Sequence, residues 1–477
     1  MLQSEEQYYQ SLHDGRRIFY RGQPVADVVN HPELGLAIRH AAIDFRMAHD
    51  PKYREQAVVT DESGSYSRFY SIPHSAEDLK KRRDLIALST RLGGTVVPLI
   101  HEIGTDALFG LMEAADSVDH DMGTHYSKRV MDFWRQARDN DYALAVAQTD
   151  VKGDRSKRPA EQPDPDMYLR IVKRTSEGIV VRGAKVHTSV SINANWLIAL
   201  PTREMQEADK DYAVAFAVPV NARGVTLIAS PFLSTSHHDM ERPISSRHKM
   251  IETFTWFDDV FVPHEQVFLN GEWQAAGMMA KAFVEFHRFT AVSYKLPLLE
   301  LITGVSRLLA RYNGIDKARH IQNSLSDLVL YDMSVRSILD NAADRGELVA
   351  PGVFRPNIPL VNLAKYHFAT GLPQAFHHVQ DIAGGLLVTA PGQEDLSHPE
   401  LGGILAHYLQ GKNVDGVKRL KALYLASDLV ASDLAGYHLV LAVHAEGSIE
   451  AEKMTAVKSY PWDEVEAHAR TMAGIEE

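Results

Sequence analysis

The chain has 477 residues, of which 45% are hydrophobic and 23% are charged, and a length above roughly 250–300 residues usually means two or more domains. Its formal net charge of −12 argues against a nucleic-acid-binding protein, whose surface is basic. The chain has no cysteine, which excludes disulfides, thiolate nucleophiles and thiolate-bound zinc or iron–sulfur sites. Because no signal-peptide pattern and no apolar run of membrane length occurs, we expect a soluble, cytoplasmic protein.

Residues 1–145 are predicted to be mostly helical, because apolar residues recur there at helical spacing. The segments with this spacing are 5–13, 31–50, 75–94 and 98–141. Ser75 is a suitable N-cap for the third of these helices, and Gly93-Gly94 is a suitable end.

Residues 146–270 show the pattern of β-strands instead. Two β-rich runs, Tyr168–Arg174 and Ile179–Lys185, are joined through Ser176-Glu177-Gly178 and predict a hairpin. Further strand signals occur in 196–202, 212–220, 224–232 and 253–263. Short strands separated by turn residues predict a compact β-barrel or sandwich.

Residues 271–477 return to helical patterns, with long amphipathic segments at 276–314 and 418–444. Such segments are typical of a helical bundle. The predicted fold class is therefore α+β, with a helical N-terminal domain, a central β-domain and a C-terminal helical bundle.

Two turn-like segments could bind a ligand. In the first, Gln148–Arg155, Thr149 and backbone amides could hydrogen-bond a flat heteroaromatic ring, and Arg155 could neutralise a phosphate. The same residues could instead form a charged surface turn that binds no ligand. In the second, Thr188 and Ser189 end a predicted strand, where they could line a ligand or simply close a turn.

Two further groups leave similar alternatives open. Asp381-Ile382-Ala383-Gly384-Gly385 could bring its backbone close to a cofactor, or it could merely end a helix; it does not have the Rossmann glycine spacing. His287 and Lys295 are about two helical turns apart and so project to the same side. Together with Glu252 and Arg288 they could form an acid–base set, although a lone Glu in a strand and a His on a helix are ordinary features. No metal-binding spacing occurs among the histidines.

An ordered set of segments, spread from about Glu6 to about Lys453, is similar to one family. These segments are 149–155, Arg182–Lys185, Phe257–Pro263, Tyr312–Gly314 and Asp381–Gly385. They resemble the family of 4-hydroxyphenylacetate 3-hydroxylase (oxygenase component) and 4-hydroxybutyryl-CoA dehydratase. Residues 5–12 and 207–219 are more similar to the dehydratase branch. The resemblance implies an acyl-CoA-dehydrogenase-like scaffold with a C-terminal four-helix bundle, a homotetramer, and an FAD in the groove between domains that a neighbouring subunit also contacts.

The resemblance also implies which residues form the site. Those implied for the flavin are Gln148, Thr149, Asp150, Arg155, Thr188, Ser189, Asp381, Ile382, Ala383, Gly384, Gly385, His444, Gly447 and Ser448. In the dehydratase, three cysteines and a histidine hold a [4Fe–4S] cluster; the matching positions here are Pro98, Glu102, Tyr294 and His287. Proline has no ligand atom, and a carboxylate or phenol replaces a thiolate poorly at such a cluster. We therefore expect no iron–sulfur cluster and none of the chemistry that depends on it.

The chain also departs from the hydroxylase. Residues 104–108 replace the Arg-Ser-Pro-Asp-Tyr segment that binds the phenol there, and Val146 stands at the position of a histidine. 4-Hydroxyphenylacetate itself is therefore not the expected substrate.

The resemblance predicts a two-component monooxygenase. A separate reductase would supply FADH2, and a flavin C4a-hydroperoxide would hydroxylate an aromatic or related small substrate. His287 is the expected base or peroxide-side hydrogen-bonder, and Lys295 or Arg288 would balance negative charge. Tyr294, Glu102 and the nearby His101 would shape the substrate end.

Three alternatives stay open. One is a cluster-free, flavin-binding acyl-CoA isomerase or dehydratase-like lyase, in which Glu252, His287 and Lys295 move protons. Another is a flavin-binding protein without catalytic activity. The third is that the polar residues form only a satisfied network inside a bundle.

Overall fold

The computed structural model describes residues 2–232 and 239–475, so the last two residues of the predicted C-terminal segment lie outside it. The helices are α1 (Glu5–Ser11), α2 (Leu34–Ala41), α3 (Ile43–His49), α4 (Arg54–Ala57), α5 (Ala76–Leu92), α6 (Glu102–Met122), α7 (Tyr126–Asn140), α8 (Ala276–Tyr312), α9 (Arg319–Asp344), α10 (Ile358–Ala383), α11 (Leu386–Thr389), α12 (Gln393–Ser397), α13 (Leu401–Tyr408), α14 (Gly416–Val430), α15 (Asp433–His444), α16 (Ile449–Lys458) and α17 (Trp462–Ala473). The strands are β1 (Ile18–Tyr20), β2 (Gln23–Val25), β3 (Val58–Asp61), β4 (Gly64–Ser67), β5 (Leu144–Ala147), β6 (Arg170–Arg174), β7 (Gly178–Lys185), β8 (Trp196–Ala199), β9 (Val214–Pro219), β10 (Val225–Ala229), β11 (Thr253–Pro263), β12 (Val267–Asn270), β13 (Glu347–Val349) and β14 (Val353–Arg355).

The N-terminal segment is helical in the way its spacing predicts, with two differences. Helix α5 begins after Ser75, whose Oγ accepts the backbone N–H of Asp78 (3.2 Å), and it ends at Gly93. The segment predicted as one helix over 31–50 forms two, α2 and α3, which meet at Ala42. In addition, β1 and β2 lie in this segment, and β1 pairs in parallel with β10 of the central sheet.

The central segment forms two sheets. One has the strand order β2-β1-β10-β11-β7-β6 and the other β12-β9-β8-β5. The predicted hairpin is present as β6 and β7, which pair antiparallel. Phe216 of the second sheet meets Phe257 of the first edge to face, with their ring centroids 5.9 Å apart, so the sheets pack on each other as a sandwich.

The C-terminal helices α8, α9, α10 and α14 pack as a four-helix bundle, and the predicted α+β fold class is confirmed. Helix α8, 37 residues long, also contacts α6 of the N-terminal segment. Gly110 allows this close approach, because a Cβ there would lie 2.6 Å from the backbone carbon of Ala282. The buried middle of α8 therefore faces residues from both helical segments. Among the described residues, no helix is long and apolar enough to cross a membrane. The domain limits at 145 and 270 stay predictions.

Candidate functional site

Helix α8 carries four of the predicted site residues, and all four are buried. Three of them converge on Glu446, in the turn between α15 and α16. Lys295 Nζ lies 3.0 Å from Glu446 Oε2, and the Tyr294 hydroxyl donates to Glu446 Oε1. Arg288 Nε donates to the Glu446 backbone oxygen at 3.0 Å. The predicted acid–base helix thus meets a carboxylate that the sequence analysis did not identify.

Glu446 is ionised at neutral pH because of the cations around it. Its side chain is only 2% exposed, and burial alone would raise its pKa. The charges of Lys295 and Lys365 outweigh burial and bring the pKa down to about 2. Burial lowers the pKa of Lys295 to about 8 despite the pull of Glu446, and burial together with Glu446 raises the pKa of Tyr294. Tyr294 therefore remains a phenol that donates a hydrogen bond.

The turn that carries Glu446 is tight. Glu446 has a φ of 59°, which non-glycine residues seldom adopt, and Gly447 follows with a φ of 117°. A Cβ at Gly447 would lie 2.4 Å from the Arg288 guanidinium, so this position requires glycine. The predicted residues Gly447 and Ser448 are thus present at the site, where Ser448 caps α16 by accepting the N–H of Ala451 (3.3 Å).

Glu252 belongs to a second, neighbouring chain of hydrogen bonds. Its Oε2 accepts from Ser189 Oγ, and its Oε1 accepts from the Tyr437 hydroxyl at 3.0 Å. Burial raises the pKa of Glu252, which the two hydrogen bonds oppose. Glu252, His287 and Lys295 therefore do not form one directly bonded set, because each meets a different partner. Tyr437 was not identified from the sequence.

His287 is oriented by Asp106 of α6. Its Nδ1 lies 2.9 Å from Asp106 Oδ2, and its ring stacks on Phe283 with the centroids 5.0 Å apart. The other oxygen of Asp106 accepts from Arg82 (2.7 Å) and Thr290 (2.8 Å). Because the carboxylate accepts the Nδ1 proton, Nε2 of His287 is left as the basic nitrogen.

His101 and Glu102 lie in a separate buried network. The His101 ring lies between Asp44 and Asp141, with 3.2 Å from Nδ1 to Asp44 and from Nε2 to Asp141. Burial lowers the pKa of His101, but its bonds to Asp141 and Asp44 outweigh this and raise it to about 10. The ring also stacks on Phe69. These contacts hold the His101 ring in place. Burial raises the pKa of the neighbouring Glu102 well above its usual range. Neither residue lines the cavity described below, and their expected place at the substrate end stays a prediction.

The turn after β5 is held from inside by Asp150. This buried carboxylate accepts from Lys185 Nζ (2.9 Å), from the N–H of Leu169 (2.9 Å) and from Thr202 Oγ1. Asp150 therefore shapes the turn, and its part in a flavin site stays a prediction. Gln148 donates from Nε2 to the carbonyl oxygen of Ala280 (3.1 Å), Thr149 is half-buried, and Arg155 is exposed.

The turn of Thr188 and Ser189 lies beside that of Gln148–Arg155. The hydroxyl of Thr188 is buried and has no hydrogen-bond partner among the residues that the structure describes. Burial lowers the pKa of the adjacent His187, and the charges of Lys152 and His444 lower it further. His187 therefore lies within electrostatic reach of both other segments, so the three predicted segments around 150, 188 and 444 are neighbours.

Asp381–Gly385 lies far from Glu446 within the same chain. It ends helix α10 at Ala383, whereas Lys365 of the same helix contacts Glu446. At 1.5 Å per residue, the sixteen positions from Lys365 to Asp381 span about 24 Å. Gly384 and Gly385 are exposed, and a Cβ on either would meet no atom within 4 Å. A single chain does not join these glycines to the other flavin-site residues, so their part in a flavin site stays a prediction that needs a second subunit.

A cavity lies between the loop after α5, helix α8 and helix α15. It is lined by Thr95, Val96, Val97, Met250, Tyr294, Lys295, Leu298, Phe368, Tyr437, His438 and Leu441. The loop that forms one wall directly precedes Pro98, and Tyr294 stands opposite it. Tyr437 links the cavity through Glu252 to Ser189, and Tyr294 links it to Glu446.

Two family models cover this chain almost completely. One, for the N-terminal part of 4-hydroxyphenylacetate 3-hydroxylase, matches residues 4–269, and one for its C-terminal part matches residues 276–474. The chain belongs to the 4-hydroxyphenylacetate 3-hydroxylase family. The resemblance found in the ordered segments is thereby confirmed.

Members of both branches of the 4-hydroxyphenylacetate 3-hydroxylase family are similar to the chain. The 4-hydroxybutyryl-CoA dehydratase/vinylacetyl-CoA-Δ-isomerase of Clostridium aminobutyricum is 29% identical, with 100% of each chain covered. The 4-hydroxyphenylacetate 3-monooxygenase oxygenase component of Thermus thermophilus is 28% identical, with 87% of this chain and 85% of that protein covered.

Solved structures of the family superimpose over nearly the whole chain. A 4-hydroxybutyryl-CoA dehydratase from N. maritimus has a TM-score of 0.93 at 29% identity, covering 100% of this chain and 96% of its own. The oxygenase component of a 4-hydroxyphenylacetate 3-monooxygenase complexed with FAD has a TM-score of 0.91 at 25% identity, covering 98% of each. The family is therefore one of enzymes, monooxygenases and dehydratases, and this scaffold holds FAD in at least one member.

Proposed function

We propose that this chain is the oxygenase component of a two-component, flavin-dependent monooxygenase acting on a small, largely apolar organic molecule. The observation that carries the proposal is the tight apolar packing beside the flavin-site turn, around a cavity of about 10 Å³ that has room for about one water. Six of the eleven residues that line this cavity are apolar, and Tyr294, Lys295 and Tyr437 direct their polar ends to buried carboxylates. Packing with few free polar groups excludes bulk water, which oxygen transfer from a reduced flavin requires.

The residues of the neighbouring segments around 150 and 188 fit a flavin. The unpartnered hydroxyl of Thr188 offers a hydrogen bond to a polar ring edge, and the exposed Arg155 can meet a phosphate. Bound FAD in its reduced form would supply the electrons for dioxygen chemistry. Because the relatives are named as oxygenase components, we infer a separate reductase that delivers FADH2. The chain has no cysteine, and we propose that it works without an iron–sulfur cluster.

Two buried side chains of this chain would hold and move protons at the site. Glu252 accepts hydrogen bonds from Tyr437 and Ser189, and burial raises its pKa. His287 offers its basic Nε2, since Asp106 fixes its orientation. We propose Nε2 of His287 as the proton acceptor for the hydroxylated substrate and Glu252 as the proton relay.

We further propose a homotetramer in which Gly384 and Gly385 of one subunit complete the flavin site of another. The exposure of these glycines and their place at the end of α10, far from Glu446, support this. Sedimentation velocity with and without FAD tests it: a monomer in both conditions would contradict it.

The test of the oxygenase proposal is a coupling experiment. Purified protein is mixed aerobically with reduced FAD and each of a panel of phenols, while oxygen consumption, hydrogen peroxide release and hydroxylated product are measured together. We expect at least one phenol to yield product and to lower the peroxide yield by the same molar amount. If the protein changes neither the rate of oxygen consumption nor the peroxide yield of free reduced FAD with any of them, the proposal is wrong.

A cluster-free acyl-CoA isomerase or dehydratase-like lyase is the second candidate. The 29% identity to the dehydratase over the full length of both chains favours it, and so does the presence of Glu252 and Lys295 with pKa values shifted towards neutrality by burial. This activity would proceed without oxygen. Conversion of 4-hydroxybutyryl-CoA or vinylacetyl-CoA under strict anaerobiosis would establish this activity. If neither compound is converted, the lyase proposal is wrong.

A further inference from the structure

Two loops that leave the same edge of the second sheet carry basic side chains. Strands β5 and β8 are parallel neighbours, so the loops that follow them begin side by side. Lys152 and Arg155 lie in the loop after β5, and Arg203 lies in the loop after β8. The backbone N–H of Asp150 donates to Thr202 Oγ1 at 3.0 Å, which joins the two loops. The three cations are therefore gathered at one edge of the sheet.

These cations have too few carboxylates to balance them. Among residues 2–232 and 239–475, no side chain forms a hydrogen bond or ion pair with Lys152, Arg155 or Arg203. Burial lowers the pKa of Lys152, and the charges of both arginines lower it further, against the pull of Asp150. Asp150 is itself bound to Lys185 Nζ at 2.9 Å. The cluster therefore has an excess of positive charge, although the whole chain has a formal net charge of −12.

Three other carboxylates next to the two loops already have cations of their own. These ion pairs are Asp154 with Lys157 (3.9 Å), Glu204 with Lys281 (2.7 Å) and Asp209 with Arg158 (2.8 Å). Like charges that lie close together repel each other unless an anion compensates them. A bound anion would therefore stabilise this arrangement.

The loop after β5 is held in one conformation without a ligand. The buried Gln162 donates from Nε2 to the carbonyl oxygens of Asp154 (2.7 Å) and Lys157 (3.3 Å), and its Oε1 accepts the N–H of Asp154 (3.0 Å). Gly153 has a φ of 50°, and a Cβ there would lie 2.5 Å from Gln162 Oε1. Lys152 has a φ of 76°, which a non-glycine residue keeps only where the surroundings enforce it. Such an ordered loop loses little conformational entropy when a ligand binds.

The basic cluster adjoins the segment that is predicted to contact the flavin. The charge of Lys152 lowers the pKa of His187, so the two side chains are neighbours. Thr188 follows directly, and its buried hydroxyl has no hydrogen-bond partner in the described part of the chain. A ligand in contact with Thr188 can therefore extend towards the cations.

We propose that Lys152, Arg155 and Arg203 together bind the diphosphate group of a nucleotide ligand. A diphosphate has more than one negative charge, and the guanidinium group can donate to two phosphate oxygens at once. Two ligands of this family of enzymes contain the same chemistry, namely FAD and the nucleotide part of an acyl-CoA. The proposal goes beyond the proposed function, because Lys152 and Arg203 are not among the predicted flavin residues and binding requires no oxygen transfer.

The first test uses inorganic pyrophosphate and isothermal titration calorimetry on the full chain at low salt. We expect wild type to bind pyrophosphate, and Lys152→Gln and Arg203→Gln each to lower the affinity by about tenfold, because one charge-assisted hydrogen bond is lost. Added NaCl should weaken binding to wild type, since it screens exposed charges. Lys152→Arg and Arg203→Lys keep the charge and should keep most of the affinity.

Matched controls remove a charge elsewhere in the same part of the chain. Lys173→Gln changes an exposed lysine at the far end of the β6–β7 hairpin, and Arg223→Gln changes an exposed arginine between β9 and β10. Neither substitution should change the affinity for pyrophosphate. Thermal unfolding checks each variant, and if Lys152→Gln does not fold, the Arg203 variants decide.

Two pairs of probes identify the source of the diphosphate. FAD is compared with riboflavin, and coenzyme A with pantetheine, which lack the phosphates. If the clamp binds FAD, Lys152→Gln and Arg203→Gln should lower the ratio of FAD to riboflavin affinity by about tenfold. If it binds an acyl-CoA, the ratio of coenzyme A to pantetheine affinity should fall instead. Binding is measured without turnover, so an inactive oxygenase would not affect these ratios.

Four results would overturn the proposal. They are no binding of pyrophosphate to wild type, equal affinity in wild type and the glutamine variants, an equal loss in the Lys173 and Arg223 controls, and unchanged ratios for both pairs of probes.

Discussion

Removing the charge of Glu446 should loosen the turn that closes the site. In Glu446→Gln, the buried ammonium groups of Lys295 and Lys365, which lie 3.0 Å and 3.6 Å from the carboxylate, lose their neutralising partner. Folding lowers the pKa of Glu446 from 4.5 to about 2, and because one pH unit corresponds to about 1.4 kcal/mol, its ionised form is favoured by about 3 kcal/mol. This is within the range of about 3–5 kcal/mol typical of breaking a buried ion pair.

This free energy is the cost of removing one partner of the ion pair. It is not the net contribution of the ion pair to stability. Burial lowers the pKa of Lys295 to about 8 even with Glu446 beside it, so desolvation offsets much of the attraction. The direct readout is therefore local: hydrogen exchange of the backbone amides of residues 445–452. Opening should become easier by about 3 kcal/mol, which corresponds to exchange faster by a factor on the order of 100.

The control is Glu450→Gln in the same segment. Glu450 is exposed and contacts Lys453 (3.0 Å), so its loss should change exchange less than about threefold. The pH dependence provides a second check. A carboxylate with a lowered pKa stabilises the folded state fully above its unfolded pKa of 4.5, and this stabilisation is lost as the pH falls towards 2. The exchange rates of wild type and Glu446→Gln should therefore become equal near pH 2. Equal exchange of Glu446→Gln and wild type at pH 7, or an equal effect of Glu450→Gln, would refute this reasoning.

Three further substitutions test other parts of the structure. Asp150→Asn leaves the buried ammonium of Lys185 without its carboxylate and should cost about 3–5 kcal/mol, seen as a lower thermal unfolding midpoint. His101→Gln should destabilise most below pH 6.5, and the difference from wild type should shrink as the pH rises from 6.5 through about 10, because the raised pKa of His101 stabilises only while the ring is protonated. Gly104→Ala places a Cβ 2.1 Å from that of Leu144 and should cost about 1–3 kcal/mol in a denaturant titration.

Matched variants show whether these effects come from the stated contacts. Asp154→Asn changes an exposed carboxylate four residues from Asp150 and should leave the unfolding midpoint almost unchanged. Gly304→Ala adds a Cβ in open space on helix α8 and should be neutral or slightly stabilising. A stability difference between wild type and His101→Gln that is constant from pH 6 to 10 would contradict the charged state assigned to His101.

Local features of the fold could be predicted where one residue type has one dominant physical role. Ser75 caps α5 because a serine hydroxyl can accept an orphan N–H, and Gly178 opens a hairpin strand that the alternating pattern indicates. Strands β1 and β2, each three residues long, carry too little alternation to be detected, and the pairing of β1 with β10, some 200 residues away, depends on tertiary contacts.

The site residues likewise divide into those that the sequence predicts and those that it does not. His287 and Lys295 were found because they share one helix and match a family pattern. Glu446 stands between the predicted residues His444 and Gly447, whereas Tyr437 and His438 belong to no predicted site segment. The partners of all three are known only once α15 packs against α8 and the loop at Thr95. His101 and Glu102 were placed at the substrate end by alignment alone. The two aspartates that hold the His101 ring from both sides are also distant in sequence, so this network could not be predicted.

The most direct test of the oxygenase account is the fate of labelled oxygen. The protein, reduced FAD and a phenol that it hydroxylates are mixed anaerobically, ¹⁸O₂ is admitted, and the product is analysed by mass spectrometry. The account predicts one ¹⁸O atom in each product molecule and no product before oxygen is admitted. Product that forms without oxygen, or that carries only oxygen from water, would contradict the account and favour the lyase.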